Sequence, residues 1–101
     1  MTKLQDKLIE QLESLISHLD KYEEKDWSLI FSKIKKLIDN GDRRGIDSLK
    51  NMRGGMGSFT DLIICQINGH RIDKNEENFA NIELMRLGNL VLNTADKLNR
   101  E

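Results

Sequence analysis

Three observations predict an all-α fold for this sequence. Its 101 residues contain no proline, apolar residues recur at spacings of three and four in four separate stretches, and no two alternating strands are joined by a hairpin turn. The expected architecture is a single helical domain over residues 1–101, an antiparallel bundle of four main helices plus one short helix. The length suits one modest core and is too short for two. Charged residues make up 33% and aromatic residues 5% of the chain, a balance that favours helix over an all-β domain.

The first helix starts from a capping box, Thr2 with Gln5, and runs to about Tyr22. Leu4, Leu8, Leu12, Leu15 and Leu19 form its stripe, widened by Ile9 and Ile16, while Lys3, Asp6, Lys7, Glu10, Glu13 and Lys21 occupy the solvated face. His18 sits at the edge of the apolar face, where a lone histidine reads as a satisfied hydrogen-bonding group, since a metal needs several converging donors. Asp26 is the expected N-cap of the second helix, in which Trp27, Ile30, Phe31, Ile34, Leu37 and Ile38 share a face. Trp27 is expected to contribute most to the core, with partner anchoring as its alternative role. Lys33, Lys35 and Lys36 suit the negative end of the helix dipole, and Asn40-Gly41 stops the helix in a left-handed turn.

A short helix over Asp42–Met52 follows, capped by Asp42, pinned by Ile46 and Leu49, and weakened by Gly45. Ser58 and Asp61 then read as a variant capping box opening a helix over Phe59–Ile67, which Asn68-Gly69 ends. Cys65, beside Ile63, Ile64 and Ile67, reads as a small buried hydrophobe. Asn75 or Asp73 caps a long last helix in which Phe79, Ile82, Leu84, Met85, Leu87, Val91, Ala95 and Leu98 form one broad apolar face. Gly88 within it points to a close helix crossing.

The stretch Asn51–Leu62 resists this reading, with glycines at 54, 55 and 57. They permit positive φ or a close backbone approach, so the stretch is either a structural turn leading into a helix or a contact loop for a ligand or partner. It lacks the lysine of a P-loop and the glycine spacing of a dinucleotide fingerprint. Gly54–Leu62, Gly-Gly-Met-Gly-Ser-Phe-Thr-Asp-Leu, resembles a signature of small bacterial immunity-type proteins of contact-dependent or polymorphic toxin systems. It covers about a tenth of the chain, with a looser likeness in the tryptophan-bearing helix before it and the long helix after it. The resemblance implies a protein that binds and neutralises a cognate toxin by stoichiometric occlusion, without cofactor or turnover; a cytoplasmic location is expected from the lack of an apolar run or signal core in the sequence. It carries over no site residue.

Charge supplies the site candidates. Net charge is −1 overall, yet residues 1–26 sum to −3, residues 27–53 to +4 and residues 72–101 to −2. A basic centre between acidic ends can fold back and neutralise itself, and no contiguous cationic face suggests direct nucleic-acid binding. Arg43, Arg44, Lys50 and Arg53, together with Gly54, Gly55 and Gly57, are the expected partner-binding residues, with the acidic first helix as the competing surface. No apolar run is long enough for a membrane span. The two histidines fall in different elements, and neither His-Glu-x-x-His nor Cys-x-x-Cys occurs, so no enzyme, metal or cofactor is expected. The alternative function is a non-enzymatic helical interaction module that self-associates through an apolar stripe on the last helix.

Overall fold

In the computed structural model, residues 3–52 and 62–100 are described, and they hold four α-helices and no strand. These are α1 (Lys3–Lys21), α2 (Lys25–Asp39), α3 (Arg44–Lys50) and α4 (Glu77–Asn99), with 3-10 turns at Gln66–Asn68 and Lys74–Glu76. The all-α expectation holds. Thr2, Arg53, Gly54, Gly55, Gly57, Ser58, Phe59 and Asp61 lie outside the described residues.

The leucine stripe of α1 becomes the middle of the core: Leu8, Leu12, Leu15 and Leu19 are fully buried, and Leu4, Ile9 and Ile16 pack partly against them. Burial of each such side chain contributes about 1.5–3 kcal/mol. Helices α2 and α4 both pack on α1, and α3 packs on α2 and α4. Contacts fix how the ends meet. Gln5 Nε2 donates to the Ile38 carbonyl at 2.7 Å, Lys35 Nζ lies 3.4 Å from Glu13, and the Ser28 hydroxyl donates to Asp20. The Lys35–Glu13 pair is the expected meeting of the basic centre with the acidic first helix.

The turns are built from local chemistry. Gly41 at φ +72 ends α2, with its N–H on the Ile38 carbonyl and the Asp42 N–H on the Leu37 carbonyl. Asp42 then accepts the Arg44 N–H at 3.0 Å, but the cap residue of α3 is Arg43, one position later than the expected Asp42. At the end of α1 the left-handed position is filled by Glu23, φ 59, a residue with a Cβ in a conformation that favours glycine.

Four further local expectations are corrected. Helix α2 starts at Lys25 with Glu24 as its cap residue, so Asp26 lies inside the first turn. Trp27 is only half-buried, and Phe31 one turn on is the fully buried aromatic, because the α2 stripe facing α1 runs through Phe31, Ile34 and Ile38. Gly45 fits α3 against α2: a Cβ there would stand 2.8 Å from Ile38 Cγ1, 3.1 Å from the Ile34 carbonyl oxygen and 3.2 Å from Leu37 Cβ. The glycine that weakens α3 intrinsically is what lets α2 and α3 touch.

The fourth correction is the helix expected over Phe59–Ile67, whose described part is not α-helical. Leu62–Ile64 is irregular and Cys65 is extended, at φ −161 and ψ 162, before the 3-10 turn. Its peptide groups are bound from α4 instead. Asn81 accepts the Ile64 N–H at 2.7 Å and donates to the Ile64 carbonyl at 2.8 Å, and Glu77 accepts the Gln66 N–H at 2.8 Å. With those partners supplied by side chains, the segment needs no helix of its own. Cys65 is accordingly half-buried, and of its isoleucine neighbours only Ile64 enters the core.

Candidate functional site

Arg43, Arg44 and Lys50 lie on α3 or at its start, and they do not converge. Arg43 Nη2 reaches to the far end of α4, 2.8 Å from Asn99 Oδ1 and 3.3 Å from the Asn99 carbonyl. Arg44 turns back on Asp42 with three side-chain hydrogen bonds of 2.7–3.1 Å. These bonds, with that from the Arg44 backbone N–H, hold Asp42 below its ordinary pKa of 3.8. Lys50 is exposed at the last turn of α3, suited to the helix dipole. Asp42 neutralises one of the three cations, while Arg43 and Lys50 remain presented to solvent.

Beside this corner lies a cleft of about 260 Å³, lined by Gln5, Ile38, Gly41, Asp42, Arg43, Ile46 and Leu98. Ile38, Ile46 and Leu98 supply an apolar lining, and Gln5, Asp42 and Arg43 supply polar groups. Gly41 borders this space, and a Cβ there would meet nothing within 4 Å. An apolar pocket with a cation at its edge is chemically suited to a partner side chain that is apolar next to an acid.

A second surface lies on α4. Its buried residues Ala80, Leu84, Leu87, Val91, Thr94, Ala95 and Leu98 form a seam, with Gly88 and Leu92 beside it. Phe79, Ile82 and Met85, expected in the same broad face, are instead 63%, 59% and 68% exposed. The sequence carried a signal for this split. Positions 80, 84, 87, 91, 94 and 98 follow a 4-3-4-3-4 spacing, and 79, 82 and 85 are a separate three-residue ladder. The small side chain of Ala80 hides the seam's first member.

A third cluster is internal. His70, its side chain 6% exposed, joins the turn after α1 to the 62–73 segment. Its Nε2 bonds the Glu24 carboxylate, and Nδ1 lies 3.1 Å from both the Cys65 carbonyl and the Cys65 N–H, accepting from the latter when the proton sits on Nε2. That tautomer satisfies both ring nitrogens. The cluster contacts the Cys65 backbone, and nothing places the thiol on the imidazole. His18 behaves as expected for a satisfied group: Nε2 donates to the Ala80 carbonyl at 2.9 Å, and the ring stands edge-on to Tyr22. Among the described residues no three His, Cys, Asp or Glu side chains are grouped to hold a metal ion, and no helix is long and apolar enough to cross a membrane.

Fold and surface together define a small all-α protein that presents a cation-edged cleft and an exposed apolar row. The chain belongs to the family described as domain of unknown function DUF6966, whose model matches residues 20–73. The matched stretch runs from the end of α1 through α2 and α3 to the 62–73 segment, and includes both partners of the Glu24–His70 clasp. Comparisons with curated proteins and with solved structures returned no match.

Proposed function

We propose that this protein is an immunity protein of the bacterial cytoplasm, which binds a cognate toxin directly and in equal amounts and occludes it without turnover. The reading takes the scaffold as an antiparallel helical bundle, in keeping with the contacts Gln5–Ile38 and Ser28–Asp20 at opposite ends of α1 and α2. The resemblance at Gly54–Leu62 suggests the class of partner. The observation that carries the choice of surface is the cleft with Arg43 at its edge. A toxin loop would place an apolar anchor against Ile38, Ile46 and Leu98 and a carboxylate toward Arg43 or Lys50. Arg53, Gly54, Gly55 and Gly57 lie outside the described residues and are proposed, from the sequence, as contacts of the same partner. Arg44, already neutralised by Asp42, contributes less than its charge suggests.

Co-purification with the product of the adjacent gene tests the reading. Arg43→Glu with Lys50→Glu is expected to weaken that complex by at least about tenfold, chiefly through slower association. Arg44→Ala is expected to change it little. If no neighbouring product binds, or if protection persists far below equal amounts, occlusion is wrong. If binding survives the double reversal, the interface lies elsewhere.

A further inference from the structure

Helix α4 carries two apolar stripes, and among the described residues only one of them is buried. Phe79, Ile82 and Met85 lie at i, i+3 and i+6 on the side turned away from the seam of Leu84, Leu87 and Val91, and each is more than half exposed. Ile63 and Ile67, 55% and 96% exposed, are held beside the first turns of the same helix by the Asn81 and Glu77 hydrogen bonds to Ile64 and Gln66. Summed, the five side chains present on the order of 600 Å² of apolar surface, an amount comparable with the largest patch on a typical monomer.

Charge selects the occupant. From Asn78 to Ala95 the only charged side chains are Glu83 and Arg86. They cancel one another in a forked pair, with Arg86 Nε 3.1 Å and 3.2 Å from the two carboxylate oxygens and Nη2 closing the fork. A basic or acidic partner finds no unbalanced charge there. An anionic lipid surface would call for a cationic border, and the one arginine is already paired. A neutral face meets its own copy without like-charge repulsion, and the exposed amides Asn78 and Asn89 can each donate and accept across the contact.

We propose that a second copy of this chain covers this face, α4 against α4 about a twofold axis at Ile82, so that Phe79 of each copy packs on Met85 of the other. The contact is isologous, one patch used twice. Apolar row and amide border together approach the roughly 800 Å² per partner of a standard interface, which gives a dimer that dissociates on dilution. The dimer contact is independent of the toxin reading: Met85 and Asn99 are about 21 Å apart along the helix, which separates the contact from the Arg43 corner.

Sedimentation across a concentration series tests this with the full chain. The expected result is passage from 11.7 kDa to twice that mass. Ile82→Glu, which sets two carboxylates against each other at the axis, is expected to raise the dissociation constant at least about tenfold while the helical circular dichroism is kept. In a Cys65→Ser background, Ile82→Cys is expected to form a disulfide-linked dimer on oxidation. A wild-type mass that stays at 11.7 kDa at all concentrations overturns the proposal, whether or not the protein floats with phosphatidylglycerol vesicles. So does growth beyond a dimer, or an Ile82→Glu dimer as stable as wild type.

Discussion

Gly45→Ala sets two physical effects against each other within one methyl group. In an isolated helix the change stabilises by about 1 kcal/mol, because alanine loses less backbone freedom on folding. In this molecule the new Cβ stands 2.8 Å from Ile38 Cγ1, 3.1 Å from the Ile34 carbonyl oxygen and 3.2 Å from Leu37 Cβ. None of these is the far end of a flexible side chain: one is backbone inside α2, and Ile38 is itself buried. Relief therefore requires α3 to move off α2, and overpacking of this kind costs about 1–3 kcal/mol. With the helix gain subtracted the balance stays unfavourable, and a net loss of about 1 kcal/mol is expected, or a fall in Tm of about 4–8 °C for a domain of this size. Urea unfolding followed at 222 nm should show a lower midpoint at unchanged slope. A midpoint equal to or above wild type would mean that intrinsic propensity wins and that the α2–α3 contact is looser than the distances state.

Gly41→Ala isolates the backbone contribution: at φ +72 with nothing within 4 Å of a Cβ, it is expected to lower stability by about 1 kcal/mol, and Gly41→Asn by less. Glu23→Gly, at φ 59, is expected to raise stability by up to about 1 kcal/mol, since it relieves the same strain in the opposite sense; a lower unfolding midpoint would refute the strain argument. His70→Ala leaves the Cys65 N–H and the Glu24 carboxylate without their buried partner. It should reduce stability by about 1–3 kcal/mol and speed hydrogen exchange at the Cys65 amide; unchanged exchange would contradict the clasp. Asp42 is held low by Arg44, so its contribution is complete above its ordinary 3.8 and is lost as pH falls through the depressed folded value. Arg44→Ala should raise the Asp42 midpoint, read by carboxyl NMR, toward the ordinary value while the backbone N–H of residue 44 still holds it below, and an unchanged midpoint would refute the assignment.

Much of the scaffold is legible in the sequence. The Leu8–Leu12–Leu15–Leu19 stripe and the left-handed stop at Gly41 are consequences of local periodicity and of what each residue can do within one turn. The candidate cations Arg43, Arg44 and Lys50 were legible as residues but not as a site. Which acceptor each one meets depends on Asn99, 56 positions from Arg43, and on Asp42, which competes with any outside partner for Arg44.

Only tertiary structure decided the rest. The apolar stretch Leu62–Ile67 suited a helix by pattern, yet Asn81 and Glu77 bind its peptide groups and hold it out of one, because a backbone partner supplied from elsewhere outweighs propensities of a few tenths of a kcal/mol. Gly45 looked like a defect until α2 lay against it. His70 looked like a loop histidine until folding brought Glu24, 46 positions earlier, to its Nε2. By itself, then, the sequence determined where helices can form and which faces are apolar. Whether Phe79, Ile82 and Met85 face the core or the solvent was decided by the tertiary fold, because one helix can bury only the stripe that its neighbours reach, and those neighbours met Ala80, Leu84 and Leu87.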